Sequence, residues 1–399
     1  MSTETRPVYA LPDLTGRTRW WLVALIVLAT IGVVGALYQL LEGLAVTNLS
    51  DGFIWGLYIA AFMVFMAAAG GTLAIAGAIL LFELNRFRSL VRLSLLLSIS
   101  SVVVAGGLIV IDLGNPLRSP GIYLWAQPYS PLVGDFVVVH LFVLFAVGLL
   151  WLLSRHDLAA QGSRLALGAA DTPEGRERDE RIAKYVGGLA LLTATMFYPT
   201  GWLFAVLPSR VGWFDPVLGV MAVTKGLVAG LALLIVVALL ADRLSGFEFD
   251  RTLTKPLGTA LGVLLVVHVI YLEFAREFPE AWAESQTFAE AFSTVFVTDS
   301  VTFYLWIVFG GLIPLALLAL PSMRERITVL FAASALAFVG TLFESGYILW
   351  SGFPGEYWPN LFELVVTVGF VAIGAIVVTI GLWLLPIQNE YERPIGGDA

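Results

Sequence analysis

The sequence predicts an all-α integral membrane protein of about ten transmembrane helices, and three observations predict it. Of 399 residues, 59% are hydrophobic and only 13% charged, with a mean hydropathy of +0.89, a surplus of apolar surface that only lipid can solvate. The apolar runs repeatedly exceed the roughly 18 residues that separate a spanning helix from a buried core helix. The basic side chains alternate from one connection to the next, as the cytoplasmic retention of Lys and Arg requires. No stretch between the runs exceeds about thirty residues, too few for an independent soluble domain.

Run length, with Arg, Pro and Gly as punctuation, places spans at Trp20–Leu44, Phe53–Phe82, Leu90–Ile111, Leu132–Leu153 and Tyr185–Leu207. The second half gives Val217–Ala241, Pro256–Phe274, Val301–Leu320, Ile327–Trp350 and Leu361–Leu385. Residues 1–19 form a polar segment without the short apolar core of a cleavable signal, so the first run is a true span. The transmembrane domain covers 20–386 and residues 387–399 are a tail.

Direction follows from charge. The N-terminal segment, the second, fourth, sixth and eighth connections and the tail together hold eighteen of the 22 basic residues; the opposite connections hold only Arg118, Arg210 and Arg276. Both termini are therefore expected in the cytoplasm. The last base, Lys225, lies inside the sixth span. The cytoplasmic loop 154–184 contains a segment, Ala170 to Arg181, that alternates acids and Arg without apolar periodicity and reads as solvated loop. The outer loop 275–300 carries Phe278, Trp282, Phe288 and Phe292 among Glu280, Glu284 and Glu290, an amphipathic stretch suited to the outer membrane surface, to a partner, or to an ordinary interfacial helix.

Cysteine is absent, which excludes thiolate-bound iron–sulfur clusters, c-type haem attachment and disulfides in this chain. Ionisable side chains within spans cost about 2.5–3.5 kcal/mol each at mid-helix and so mark sites. Glu42, Asp112, Asp135, His140, Lys225, His268, Glu273, Glu344 and Glu363 all fall in the outer half of their spans, the pattern of one polar cavity opening outward. Glu42, Asp112 and Glu363 also suit plain interfacial positions. His140, about 12 Å along its helix, and Lys225 are too deep for snorkelling to explain. Pro199, within Tyr198-Pro199-Thr200-Gly201-Trp202, either bends the fifth span to open a cavity or is a tolerated membrane proline. Ala67-Ala68-Ala69-Gly70-Gly71 is a helix-packing device.

Trp55-Gly56-Leu57-Tyr58 opens the second span, Asp112-Leu113-Gly114-Asn115-Pro116-Leu117-Arg118 ends the third, and Ser130-Pro131 precedes the fourth. This order resembles the NrfD-like family, the membrane subunits of polysulfide reductase and related complexes. Tyr198-Pro199-Thr200-Gly201 is similar to that family's Tyr-Thr-Gly segment with an inserted Pro. Tyr357-Trp358-Pro359-Asn360 with Glu363 resembles the close of its ten-helix DsrP and HybB types. The resemblance implies two four-helix bundles with flanking helices in a prokaryotic inner membrane, with no haem or metal in this chain. It implies a quinone (menaquinone or ubiquinone) near the outer surface, an outer iron–sulfur (ferredoxin-like) subunit, and a molybdoenzyme, hydrogenase or cytochrome subunit beyond it. Besides these partners and the bilayer, no nucleic acid is expected.

Quinol oxidation releases two protons and two electrons, so a site needs partners for two ring oxygens and a nearby base. On this reading His140 is ring-oxygen partner and proton acceptor, Asp112 and Asp135 orient it or relay protons outward, and Lys225 offsets their charge or meets the other oxygen. Tyr38, Trp55, Tyr58 and Arg118 line the ring pocket. Glu83 stands at the mouth of a proton path that includes His268, Glu273 and Glu344, or is simply solvated. Two rival readings stand beside this one: a b-type cytochrome ligated by His140 and His268, and a secondary transporter.

Overall fold

The computed structural model describes residues 16–196, 199–206, 213, 215–245, 247–284, 286–290, 300–350 and 357–387. In lipid each span must satisfy its own backbone hydrogen bonds, so each apolar run becomes a helix. These are α1 (Arg17–Glu42), α2 (Leu57–Leu81), α3 (Val91–Asp112), α4 (Pro131–Ala160), α5 (Pro173–Met196) and α6 (Val217–Leu244). Helix α7 joins Thr254–Leu265, a π-helical Val266–Leu272 and Glu273–Glu284. Helix α8 joins Val301–Leu305, a π-helical Trp306–Leu312 and Ile313–Ala319. Helices α9 (Ile327–Trp350) and α10 (Leu361–Leu384) complete the set.

Among the described residues nine helices are long and apolar enough to cross a membrane. The expected fifth span falls on α5 and a short helix, Pro199–Ala205; Tyr198 lies outside the described residues. The charged stretch at the start of α5 corrects the sequence reading of a solvated loop. Pro173, which lacks only an N–H that a first turn does not use, begins the helix, and Asp179 is 2% exposed because α4 supplies its partners.

Helices α2 to α5 pack as one group and α6 to α9 as a second, with α1 and α10 paired along the flank of α3. Helix α2 joins the groups. A Cβ on Gly71 would stand 1.7 Å from the Gly226 carbonyl oxygen, and one on Gly230 2.5 Å from the Gly71 carbonyl carbon. The small-residue run of α2 is thus the seam along which α6 approaches backbone to backbone.

Hydrogen bonds tie the Arg-rich connections to one another at one end of the bundle. Thr18 donates to the Leu244 carbonyl (3.0 Å), Arg86 to that of Thr252 (2.8 Å), Lys184 to Glu83 (2.6 Å) and Lys255 to Glu325 (2.8 Å). Arg92, 1% exposed, donates to the carbonyls of Leu153 and Pro386 and to Asp157 at 2.7 Å. At the opposite end Asn48 donates to Trp358 (3.0 Å), Trp350 to Trp55 (2.9 Å) and Trp213 to Ile348 (2.7 Å).

Candidate functional site

The expected site residues separate into three neighbourhoods. The first is on α4, where His140 is exposed. The Phe136 carbonyl can only accept, so Nδ1, 2.7 Å from it, donates. Nε2 is hydrogen-bonded to the Tyr123 hydroxyl at 3.2 Å. The rings of Tyr123 and Phe136 (4.6 Å) and of Phe136 and His140 (4.4 Å) close a small aromatic platform. Tyr123 comes from a one-turn helix, Gly121–Leu124, just after the Asp-Leu-Gly-Asn-Pro-Leu-Arg segment. His140 is therefore oriented by Tyr123 and the Phe136 carbonyl, where the sequence pointed to Asp112 and Asp135. Arg118 is exposed and Asp135 half-buried.

The second neighbourhood gathers around the end of α3. Tyr58, 1% exposed, donates to Gln39 at 2.9 Å, and Gln39 donates to the Ile111 carbonyl at 2.7 Å. One carboxylate oxygen of the adjacent Asp112, Oδ1, is buried with no hydrogen-bond partner. Tyr38 is 51% exposed, edge-on to Phe362 at 6.1 Å. Trp55 stacks on Trp213 at 5.5 Å. Glu363 acts as a clamp: it accepts from the backbone N–H groups of Asn48 and Asn360, both at 3.0 Å, and from the Tyr357 hydroxyl, which itself accepts from Leu57 N–H at 3.0 Å. Burial, and after it the bond to Glu363, push the Tyr357 hydroxyl up from its ordinary value.

The third neighbourhood lies inside the second helix group. Lys225 is 4% exposed, Glu344 1% and His268 fully buried. Lys225 Nζ donates to Ser345 at 2.7 Å and stands 3.7 Å from Glu344 Oε2. The same oxygen is 3.2 Å from His268 Nε2, and His268 Nδ1 is 2.8 Å from the Thr224 hydroxyl. His268 sits in the π-helical stretch of α7, a distortion that recurs at functional sites. Glu344 Oε1, both carboxylate oxygens of Glu273 and the indole nitrogen of Trp306 are buried without hydrogen-bond partners. Toward the Arg-poor end follow Arg276, 3.6 Å from Glu273, 3.4 Å from Glu277 and 3.7 Å from Asp215, and Tyr347, donating to Glu277 at 3.1 Å. A crevice with about 360 Å³ of empty space, lined by Met63, Phe204, Met221, Lys225, Glu344 and Ile348 among others, reaches the pair.

Lys225 thus answers Glu344, and not the carboxylates of α3 and α4. Glu83 stands exposed at the Arg-rich end, where its hydrogen bond to Lys184 holds its carboxyl below the ordinary value. His140 and His268 belong to different helix groups, and each has both ring nitrogens hydrogen-bonded. The sequence reading missed Tyr123, Gln39, Thr224, Ser345 and Tyr347. Thr224, Ser345 and Gln39 had a positional signal, each standing next in the chain to a residue already singled out, Lys225, Glu344 and Tyr38.

Comparison with known proteins fits this architecture. The chain is 39% identical to a putative dimethyl sulfoxide reductase membrane subunit of Halobacterium salinarum, over 97% of this chain and 95% of the relative. It is 26% identical to the probable Ni/Fe-hydrogenase 2 b-type cytochrome subunit of Escherichia coli, over 88% of each. It is 22% identical to the integral membrane subunit of menaquinone reductase from Nitratidesulfovibrio vulgaris, over 92% of this chain and 91% of the relative. The sequence profile described as "Polysulphide reductase, NrfD" matches residues 45–354, and on that span the chain belongs to the NrfD family.

Proposed function

We propose that this chain is the quinone-handling membrane subunit of a respiratory oxidoreductase complex. It exchanges electrons between the quinone pool and an iron–sulfur subunit on the outer face of a prokaryotic inner membrane, with both termini in the cytoplasm. The observation that carries the reading is the His140–Tyr123 pair, an imidazole on a membrane-spanning helix that the rest of this chain leaves exposed. A charged or polar group facing hydrocarbon is costly unless something delivered by the lipid uses it. The names of the relatives, membrane subunits of reductases and one of a menaquinone reductase, support the role in a complex with a catalytic subunit and favour menaquinone.

The residues fit such a ligand. A bound quinol supplies the two-electron, two-proton chemistry. Nε2 of His140, hydrogen-bonded to Tyr123, is placed to take a ring-hydroxyl proton, while Nδ1–H stays fixed on the Phe136 carbonyl. The Tyr123 hydroxyl is then free to donate elsewhere. Asp112, with an oxygen lacking a partner at the end of α3, is a candidate for passing protons outward. His268, Glu344, Glu273 and Lys225 form a second proton-handling group within the second bundle.

The test is quinol oxidation by membranes carrying the whole complex. His140→Ala should lower turnover at least about 100-fold, the usual worth of a positioned general base, with the complex still assembled. Turnover equal to wild type would remove His140 from the mechanism. A reduced-minus-oxidised spectrum of the isolated chain checks the cytochrome alternative that one relative's name keeps in view.

A further inference from the structure

At the Arg-rich end, a crevice with about 400 Å³ of empty space opens between the end of α6 and the start of α9, lined by Leu239, Leu240, Arg243, Ile327, Thr328 and Phe331. Helix α1 begins beside it, because Thr18 donates to the Leu244 carbonyl at 3.0 Å. The next residues of α1 are Arg19 and Trp20, both exposed, Trp20 by 72%. An exposed Trp at a helix end marks the level of the lipid headgroups. The crevice is therefore apolar on the membrane side and opens at headgroup height.

Its charge is unbalanced. Elsewhere at this end the acids are already matched: Asp242 accepts from Arg251 (2.6 Å) and from Phe249 N–H (2.9 Å), and Glu325 from Lys255 (2.8 Å). Arg324 donates to Thr259 at 2.9 Å. Arg243, lining the crevice, and Arg326, immediately before α9, have no carboxylate partner among the described residues, nor does Arg19. One exposed guanidinium, that of Arg243, thus lines an apolar slot that Thr328 also lines, and two more exposed guanidinium groups come from neighbouring positions: Arg326 precedes the lining residue Ile327, and Arg19 follows Thr18, which is bonded to Leu244.

We propose that this crevice binds an anionic phospholipid. The phosphodiester headgroup is held by Arg243 with Arg326 and Arg19, and by the Thr328 hydroxyl. The upper part of an acyl chain lies between Leu240, Ile327 and Phe331. Guanidinium groups suit a phosphate because their paired N–H groups match its oxygens, and basic pockets between helix ends are where such headgroups settle. Occupancy would fasten α1, α6 and α9 together at one end, across the boundary between the flanking pair and the second bundle.

The experiment is native mass spectrometry of the full chain, purified in a gentle detergent and exchanged into mixed phosphatidylglycerol and phosphatidylcholine. Wild type should retain phosphatidylglycerol at least about five-fold over phosphatidylcholine, the expected preference for one engaged arginine, and more for two. The triple variant R19Q/R243Q/R326Q should retain the two lipids equally; an unchanged preference overturns the proposal. Thr328→Trp fills the slot and keeps every charge, so it should lose the bound lipid while remaining monodisperse in phosphatidylcholine. If it keeps phosphatidylglycerol, charge alone explains retention and the slot is no site. Inorganic phosphate at matched ionic strength should leave retention and Tm unchanged; displacement of the lipid by phosphate would show a free-anion site instead.

Discussion

Lys225 and Glu344 face each other at 3.7 Å with 4% and 1% of their surfaces exposed. Either charge alone at that depth would be costly, so each is tolerated through the other. Replacing Lys225 with Met leaves Glu344 with only His268 and should destabilise the protein by about 3–5 kcal/mol. The double variant K225M/E344L removes both charges and should recover most of that loss. Thermal unfolding in detergent reads both, and a double variant no more stable than K225M would show that the two groups do not depend on each other. At this scale the sequence revealed which side chains were anomalous but not which of them meet. Lys225, His268 and Glu344 were visible as intramembrane ionisable residues, yet their meeting depends on how α6, α7 and α9 are rotated. His140 was equally visible. Its partner Tyr123 was not, because a tyrosine in the connection between two spans is unremarkable until the fold sets it against α4.

Helices and their lengths were more legible than their ends. The ninth span, Ile327–Trp350, coincides with α9 because Arg326 and the polar residues around it stop the apolar run abruptly. The fourth continues past its expected end at Leu153 to Ala160, through Ser154, Arg155, His156 and Asp157. Hydropathy reads those residues as loop, whereas their hydrogen bonds keep them helical. His156 donates to Asp179 at 2.7 Å, Arg155 makes two bonds to the same carboxylate, and Arg176 donates to Asp157 at 2.7 Å. These charges join the end of α4 to the start of α5, outside the span. Burial pushes the Asp179 carboxyl up, but its bonds to Arg155 and His156 outweigh that and hold it below its ordinary value. A carboxyl depressed in the folded state contributes stability above its unfolded pKa of about 3.9 and loses it as pH falls through the folded value. Tm should therefore drop more steeply below about pH 4 in wild type than in Asp179→Asn, with the two curves converging in acid and wild type the more stable near neutrality. Parallel curves would show that the pair contributes nothing.

For the molecule as a whole, the decisive signal was the distribution of 22 basic residues, of which eighteen fall on the two terminal segments and alternate connections. The fold gathers those connections at one end through Thr18, Arg86, Arg92, Lys184 and Lys255, so an even number of crossings is built into the hydrogen bonds as well as the charges. The bundle pairing was not legible from charge or hydropathy, since all ten runs are apolar and neighbours in sequence need not be neighbours in space; α1, for example, packs on α10. Which end faces the cytoplasm remains a consequence of charge retention alone, and the chain offers a clean way to measure it because it contains no cysteine. Single cysteines at the exposed positions Ser50 and Gln127 should react with a membrane-impermeant maleimide in intact cells, while those at Asn85 and Ser322 should react only after permeabilisation. The reverse pattern would turn the molecule over and place His140 and Tyr123 near the inner face. A mixed pattern among the four would break the even crossing count, and with it the arrangement in which α5 and the Pro199–Ala205 helix together complete the fifth crossing.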